Sequence, residues 1–230
     1  MRPTTETLRA DTHARTRKEP SSLAEKAYAR LEEMIVTLEL QPGHTLSEGE
    51  LSRRTGIGRT PLREALQRLV SQGLVVTLPR RGLLVSDINI PEHFALLDTR
   101  RILDRQVATR AARRATPGQR QQLEACASAM TRVASLGDLP EFMRLDREFD
   151  DTLEAAARNP WAARALAPMH SHCRRFWYLY RHNCDLTHAA SLHAALMNAV
   201  AAEDERAAAT ASDALLDYLE QFTRAALEIF

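Results

Sequence analysis

Leu62, Ala65, Leu66, Leu69 and Val70 fall at i, i+3, i+4, i+7 and i+8, a stripe that fits one face of a helix and no strand. Thr60-Pro61 opens this helix, because a proline in the first turn lacks only an N–H that would go unpaired anyway, and Gly73 closes it. Just upstream, Ser47 followed by Glu50 reads as a capping box, which predicts a short helix running to about Thr55 and ended by Gly56. Two short helices around a tight turn leave Arg59, Thr60 and Arg63 off the apolar stripe, at the start of the second helix. Arg59 and Arg63 are four apart and share one exposed edge. The N-terminus of a helix already presents free N–H groups and a positive dipole end to a phosphate, so this edge is equipped to enter a DNA groove.

The flanking segments fit the same small domain. Leu23, Ala27, Leu31, Met34, Ile35 and Leu38 define a preceding helix that Gln41-Pro42-Gly43 stops. Leu74–Leu78 and Leu83–Val85 bracket Pro79-Arg80-Arg81-Gly82, a hairpin with a basic tip. Three helices and such a hairpin make a winged helix-turn-helix over residues 22–88. Net charge is only +1, yet residues 51–82 hold seven arginines and one acid, Glu64. Focused charge of this kind suits a local polyanion contact, with Arg53, Arg59, Thr60 and Arg63 on the helices and Arg80, Arg81 and Gly82 in the wing. A solvated face is the plain alternative for arginines, but clustering at a helix start and again at a hairpin tip favours DNA. Whether Arg59 and Arg63 read bases or hold phosphates stays open. Residues 1–21 are polar and without period, and are expected to form a disordered tail.

From Pro91 onward helical period and alanine take over. Breaks at Thr116-Pro-Gly118, Leu136-Gly137, Asn159-Pro160, Asn183-Cys-Asp185 and Glu203-Asp204 predict six helices, an antiparallel bundle over residues 89–230. The fold class is therefore mainly α: an N-terminal winged helix-turn-helix with a small β-hairpin wing and a C-terminal six-helix bundle. No stretch reaches the roughly 18 to 20 apolar residues that cross a bilayer, and the N-terminus has no apolar signal core, so no membrane association and a cytoplasmic location are expected. Cys126, Cys173 and Cys184 form neither a disulfide framework nor a C-x-x-C pattern and read as free thiols. No nucleophile elbow, phosphate loop or HExxH signal points to an enzyme.

Tyr28-Ala-Arg-Leu31, Leu40-Gln-Pro-Gly43, Leu46-Ser-Glu48, Arg59-Thr-Pro-Leu-Arg-Glu-Ala-Leu66, Gly73-Leu-Val75 and Arg81-Gly82 resemble the DNA-binding domain of GntR-family transcriptional regulators. The resemblance implies that Arg59, Thr60 and Arg63 face the major groove of a double-stranded operator, with Arg81 and Gly82 in the wing. Gly49 stands where that family usually has a basic residue, a phosphate contact that Arg53 or Arg54 would have to replace. Leu97-Asp-Thr-Arg-Arg-Ile-Leu-Asp104, Leu145-Asp-Arg-Glu-Phe149, Asn159-Pro160 and His193 resemble the FCD effector domain of the FadR subfamily, and six helices rather than seven place it nearer the VanR-like branch. The resemblance implies a regulator, a repressor in the commoner mode, whose bundle binds a small organic acid, and a homodimer is expected because one small module buries too little DNA surface for specific control.

It also implies a divalent metal of the zinc or nickel class, held by an Asp and a His four apart on one helix and two His on later helices. Here those positions read Asp146, Asp150, His193 and Leu215. Two carboxylates and one imidazole could hold such an ion with water, or could hydrogen-bond one another, Arg144, Arg174 or water. Arg100, with Asp146 and His193, is expected to face the effector; its alternative is an ion pair with Asp104, its i+4 neighbour. Trp177, Tyr178 and Tyr180 read as core or dimer-seam aromatics, and His170, His172, His182 and His188 as surface or capping residues. The rival functions are a metal-responsive DNA binder without a metabolite and a metal-dependent hydrolase built on Asp146, Asp150 and His193.

Overall fold

Ser22 accepts a hydrogen bond from the Glu25 N–H while its own N–H donates to the Glu25 carboxylate at 2.8 Å, and this reciprocal cap starts α1 (Leu23–Val36). The computed structural model describes residues 22–227, so the tail expected over 1–21 lies outside the described residues. After α1 the chain forms β1 (Thr45–Leu46), α2 (Glu48–Thr55), α3 (Arg59–Ser71), β2 (Val75–Leu78) and β3 (Gly82–Val85).

The apolar stripe of α3 is buried as its spacing requires: Leu62, Leu66 and Leu69 meet Leu31, Met34 and Ile35 of α1 in one core. Burying each such side chain contributes about 1.5–3 kcal/mol, more than local propensity gives a helix this short. Gly56 caps α2 with φ 71°, a left-handed conformation that a side chain would strain, and this turns the chain into α3. Ser52 fixes the turn by donating to the Ile57 carbonyl at 2.7 Å. The capping box expected at Ser47 does not form. Ser47 makes no side-chain bond to the helix, and Glu50 instead lies 3.6 Å from Arg54, one turn on.

The wing is a three-stranded antiparallel sheet ordered β1-β3-β2, rather than a hairpin alone. Thr45 and Leu46 pair with Leu84 and Leu83, and two residues are too few to leave a β signal in the sequence. At the tip, the Arg81 N–H donates to the Leu78 carbonyl, with Arg80 at φ 64° and Gly82 at φ 78°.

Six helices follow: α4 (Ile90–Arg114), α5 (Pro117–Ser135), α6 (Leu139–Ala157), α7 (Pro160–Leu179), α8 (Leu186–Ala201) and α9 (Glu205–Leu227), with one short 3₁₀ turn at Arg181–Asn183. Proline sits in the first turn of α4, α5, α6 and α7, each behind an Asn, Thr or Asp cap that accepts from the helix backbone. α4 packs on α9 and α6, and α5 on α8 and α6. Alanines such as Ala108, Ala111, Ala112, Ala156 and Ala157 are fully buried, which lets the helix axes approach closely around a second core. Among the described residues no helix is long and apolar enough to cross a membrane.

The two cores touch through α1. Val36 belongs to the bundle's core although its neighbours Met34 and Ile35 belong to the other. Glu32, 4% exposed, reaches out of α1 to accept from Arg147 of α6 at 2.7 Å and from the Ser171 hydroxyl of α7.

Candidate functional site

Two regions carry chemistry. The first is the outer face of the small domain. Arg53, Arg59, Thr60, Arg80, Arg81 and Gly82 are all exposed, and none of the four arginines among them makes an ion pair among the described residues. They are free cations at the start of α3, in α2 and at the wing tip. Arg63 is also exposed but not free: it donates from Nε and Nη2 to the two carboxylate oxygens of Glu48, at 3.0 and 2.8 Å. This fork holds the Glu48 carboxyl below its usual range. The sequence put Glu64 forward as the neighbouring acid; the partner is Glu48, which α2 brings across the turn. Arg54 is taken by Glu39 and Glu50, so of the two arginines expected to replace the missing basic residue at Gly49, Arg53 is the available one.

The second region is a cavity of about 50 Å³ inside the bundle, lined by Arg100, Asp146, Asp150, His170, Cys173, Arg174 and His193, with Phe142, Phe149, Trp177, Leu215 and Tyr218 as apolar walls. Asp146, Asp150 and Glu154 are four apart on α6, and His170 and Arg174 are four apart on α7, so each helix turns one charged edge inward. Arg174 donates from Nε to Asp146 at 2.7 Å and from Nη2 to Asp150. Arg100 pairs with Asp104, Nε to Oδ2 at 2.9 Å, the ion pair named as its alternative, and also lines the cavity. Arg144, in contrast, points outward to Glu141 and Glu148.

Both histidines are charged on geometric grounds. His193 has the Ala189 carbonyl 2.8 Å from Nδ1 and Asp146 3.0 Å from Nε2, and both partners are acceptors, so both nitrogens must donate. His170 lies 3.2 Å from Asp104 through Nε2 and 3.0 Å from Asp150 through Nδ1. Burial alone would lower its pKa, but Asp150 and Asp104 raise it to about 9. Burial pushes Glu154 up to about 7, with Asp150 and Asp151 adding to the effect against the pull of His170.

His170 corrects the sequence reading, which left it at the surface; at 5% exposed it is the hub of the charged cluster. His172 is likewise engaged, 2.9 Å from the Gln72 carbonyl at the end of α3. The legible signal was the i, i+4 register of His170 with Arg174, opposite the same register of acids on α6. Trp177 stacks on Phe142 at 5.4 Å, core packing as read. All three cysteines are free.

Asp146, Asp150 and His193 are brought together, but they do not fit a metal. The Arg174 guanidinium lies against both carboxylates, His193 offers Asp146 a proton rather than a lone pair, and Leu215 supplies no donor. Among the described residues no group of three or more His, Cys, Asp or Glu is arranged to hold an ion.

Both parts of the chain match known families. Residues 23–85 match the family "Bacterial regulatory proteins, gntR family", and residues 95–218 match the FCD domain. The chain is 27% identical over 177 residues to the Nta operon transcriptional regulator of Aminobacter aminovorans, covering 76% of this chain and 83% of that protein. It is 32% identical over 133 residues to the transcriptional repressor RspR of Escherichia coli (strain K12), covering 58% of each. Among solved structures, E. coli McbR/YncC superposes with a TM-score of 0.80 at 18% identity over 90% of this chain and all of that one. A GntR transcriptional regulator from Rhodococcus sp. RHA1 does so with a TM-score of 0.68 at 19% identity over 91% of this chain and all of that one. At these identities the structural likeness is one of fold.

Proposed function

Because this chain belongs to the GntR family of transcriptional regulators and carries their FCD domain, we propose that it is a repressor whose grip on its operator is set by a small carboxylate held in the bundle. That it is a DNA-binding regulator and not an enzyme follows from the family; the sign, the effector and the residues are our reading. The observation that carries the effector is the charge of the cavity. Arg100, His170, Arg174 and His193 face Asp104, Asp146 and Asp150, which leaves one positive charge in excess below about pH 7, where Glu154 beside His170 is protonated, and part of one at neutral pH. A buried excess cation is costly, and one small organic anion removes that cost. The cavity has room for a few waters as it stands, so a compact acid would replace them.

The route to DNA runs through α6 and α7. Asp146 and Asp150 face the cavity while the adjacent Arg147 holds Glu32 of α1; His170 and Arg174 face the cavity while Ser171, His172 and Arg175 hold Glu32, Gln72 and Ser86. A ligand that shifts either helix therefore changes how the winged domain is seated, and differential affinity for two seatings is all that a switch requires. Operator geometry favours a homodimer, since one small module buries too little DNA surface for specific control. A DNA-bound function places the protein in the cytoplasm. The relative RspR, named a repressor, supports the sign.

The test is capture of fragmented source-genome DNA by the purified protein, then footprinting of the retained sites with and without a panel of small carboxylic acids. We expect an inverted-repeat footprint that one acid removes, and an Arg100→Met variant whose footprint that acid no longer removes. No enrichment at low salt by folded protein would overturn the reading.

A further inference from the structure

We propose that the guanidinium of Arg174 is a built-in cation occupying the place where a divalent metal would have to sit, so that this bundle holds its anionic effector without a metal. The clause about the effector rests on the proposed function; the clause about the metal stands on the geometry alone. Asp146 and Asp150, four apart on α6, are the carboxylate pair that an ion would need, and Arg174 is donating to both. Asp146 is further pinned by His193 at 3.0 Å, and the His193 Nδ1–H is committed to the Ala189 carbonyl. Metal coordination requires a lone pair on Nε2, yet Nε2 here carries the proton that bridges to Asp146. Displacing Arg174 would leave a guanidinium that is 8% exposed without either of its acids, a change that costs more than breaking a surface pair.

The substitution conserves charge. One divalent ion with a neutral imidazole brings two positive charges to this corner; a guanidinium with an imidazolium brings the same two. It also conserves a hand for the ligand, because Arg174 Nη1 makes no hydrogen bond among the described residues and the side chain lines the cavity. The N–H groups of Nη1 can hold one oxygen of a carboxylate while Nε and Nη2 stay on Asp146 and Asp150. What changes is dependence on supply: an arginine cannot be chelated or exchanged for a competing ion.

The experiment is equilibrium dialysis of chelator-treated full-length protein against zinc(II), nickel(II) and manganese(II), with metal counted per chain. The wild type, Arg174→Ala and the double variant Arg174→Ala/Asp146→Ala are compared. We expect the wild type to take up no more metal than the double variant, and Arg174→Ala to gain one equivalent at roughly tenfold or more higher affinity, because its emptied corner leaves two carboxylates free to ligate and a neighbouring imidazole that can give up its Nε2 proton to an ion. Arg174→Gln, which keeps a donor but no charge, repeats this arm if the alanine variant does not fold. Metal bound stoichiometrically by the wild type and lost in the double variant would overturn the proposal. So would folded Arg174→Ala and Arg174→Gln proteins that gain no metal, since the site would then be metal-free for want of ligands and not because Arg174 fills it. An effector that proves not to be an acid would sink the proposed function and leave these results untouched.

Discussion

On the DNA-binding face proposed for α3, Arg59 and Arg63 share one edge but have different neighbours. Arg59 makes no ion pair among the described residues, though its charge reaches Glu48, so Arg59→Ala should weaken operator binding roughly tenfold or more in a mobility-shift titration while the fold stays intact. In the proposed contact Arg63 would exchange Glu48 for DNA. Glu48→Ala should therefore tighten binding to random-sequence duplex and steepen its salt dependence by about one counterion, read from the slope of log affinity against log salt. The pairing was hidden in the sequence because Glu48 and Arg63 are apart in the chain and meet only once the α2–α3 turn is built. His170 makes a prediction in pH. Its folded pKa of about 9 lies above the unfolded 6.5, so its contribution is fully present below 6.5 and is lost as pH rises through 9. Urea titrations should show stability falling across that window by about 2–3 kcal/mol, and His170→Gln should flatten the curve there. A curve for the variant that parallels the wild type would mean that the imidazole is not held charged.

At the scale of elements, periodicity made most of the fold legible. The stripes of α1 and α3, the Pro-led starts of α4 to α7 and the glycine stops all carry signals that act within a few residues, so sequence spacing reports them directly. β1 was not legible because two residues have no period, and the Ser47 cap was misread because a motif records who could bond, not which partner wins. Glu32 shows the same limit more sharply: on a helical wheel it is one more polar position of α1, and only docking against α6 and α7 buries it. That docking gives a prediction at this scale. Leu66→Ala, inside the small domain's core, should cost about 2–5 kcal/mol and impair DNA binding by unfolding the domain. Glu32→Gln should leave operator affinity within a few fold but blunt the effector's ability to change it, measured by footprint titration with and without ligand.

Across the whole molecule, the joint between the domains is tight in places and loose in others. Arg175, 1% exposed, bonds the Ser86 hydroxyl at 3.0 Å and its carbonyl, but its Nε has no partner among the described residues, and burial lowers its pKa to about 10. Beside it a cleft of about 580 Å³ opens between Gly73, Val76 and Ser86 on one side and Glu92, His93 and His172 on the other. An under-satisfied buried cation next to open space is a seating that can be left at modest cost. Arg175→Met should accordingly leave thermal stability nearly unchanged or raise it, while altering the effector response; a loss of several kcal/mol would show the joint to be better satisfied than its bonds suggest. The two tryptophans of the chain lie at opposite extremes of exposure. Trp161 is 77% exposed, whereas Trp177 is 6% exposed and forms a wall of the cavity. The protein thus carries its own optical gauge: a water-soluble quencher will darken Trp161 first, and the light that survives will come from the cavity wall, reporting occupancy without any attached dye.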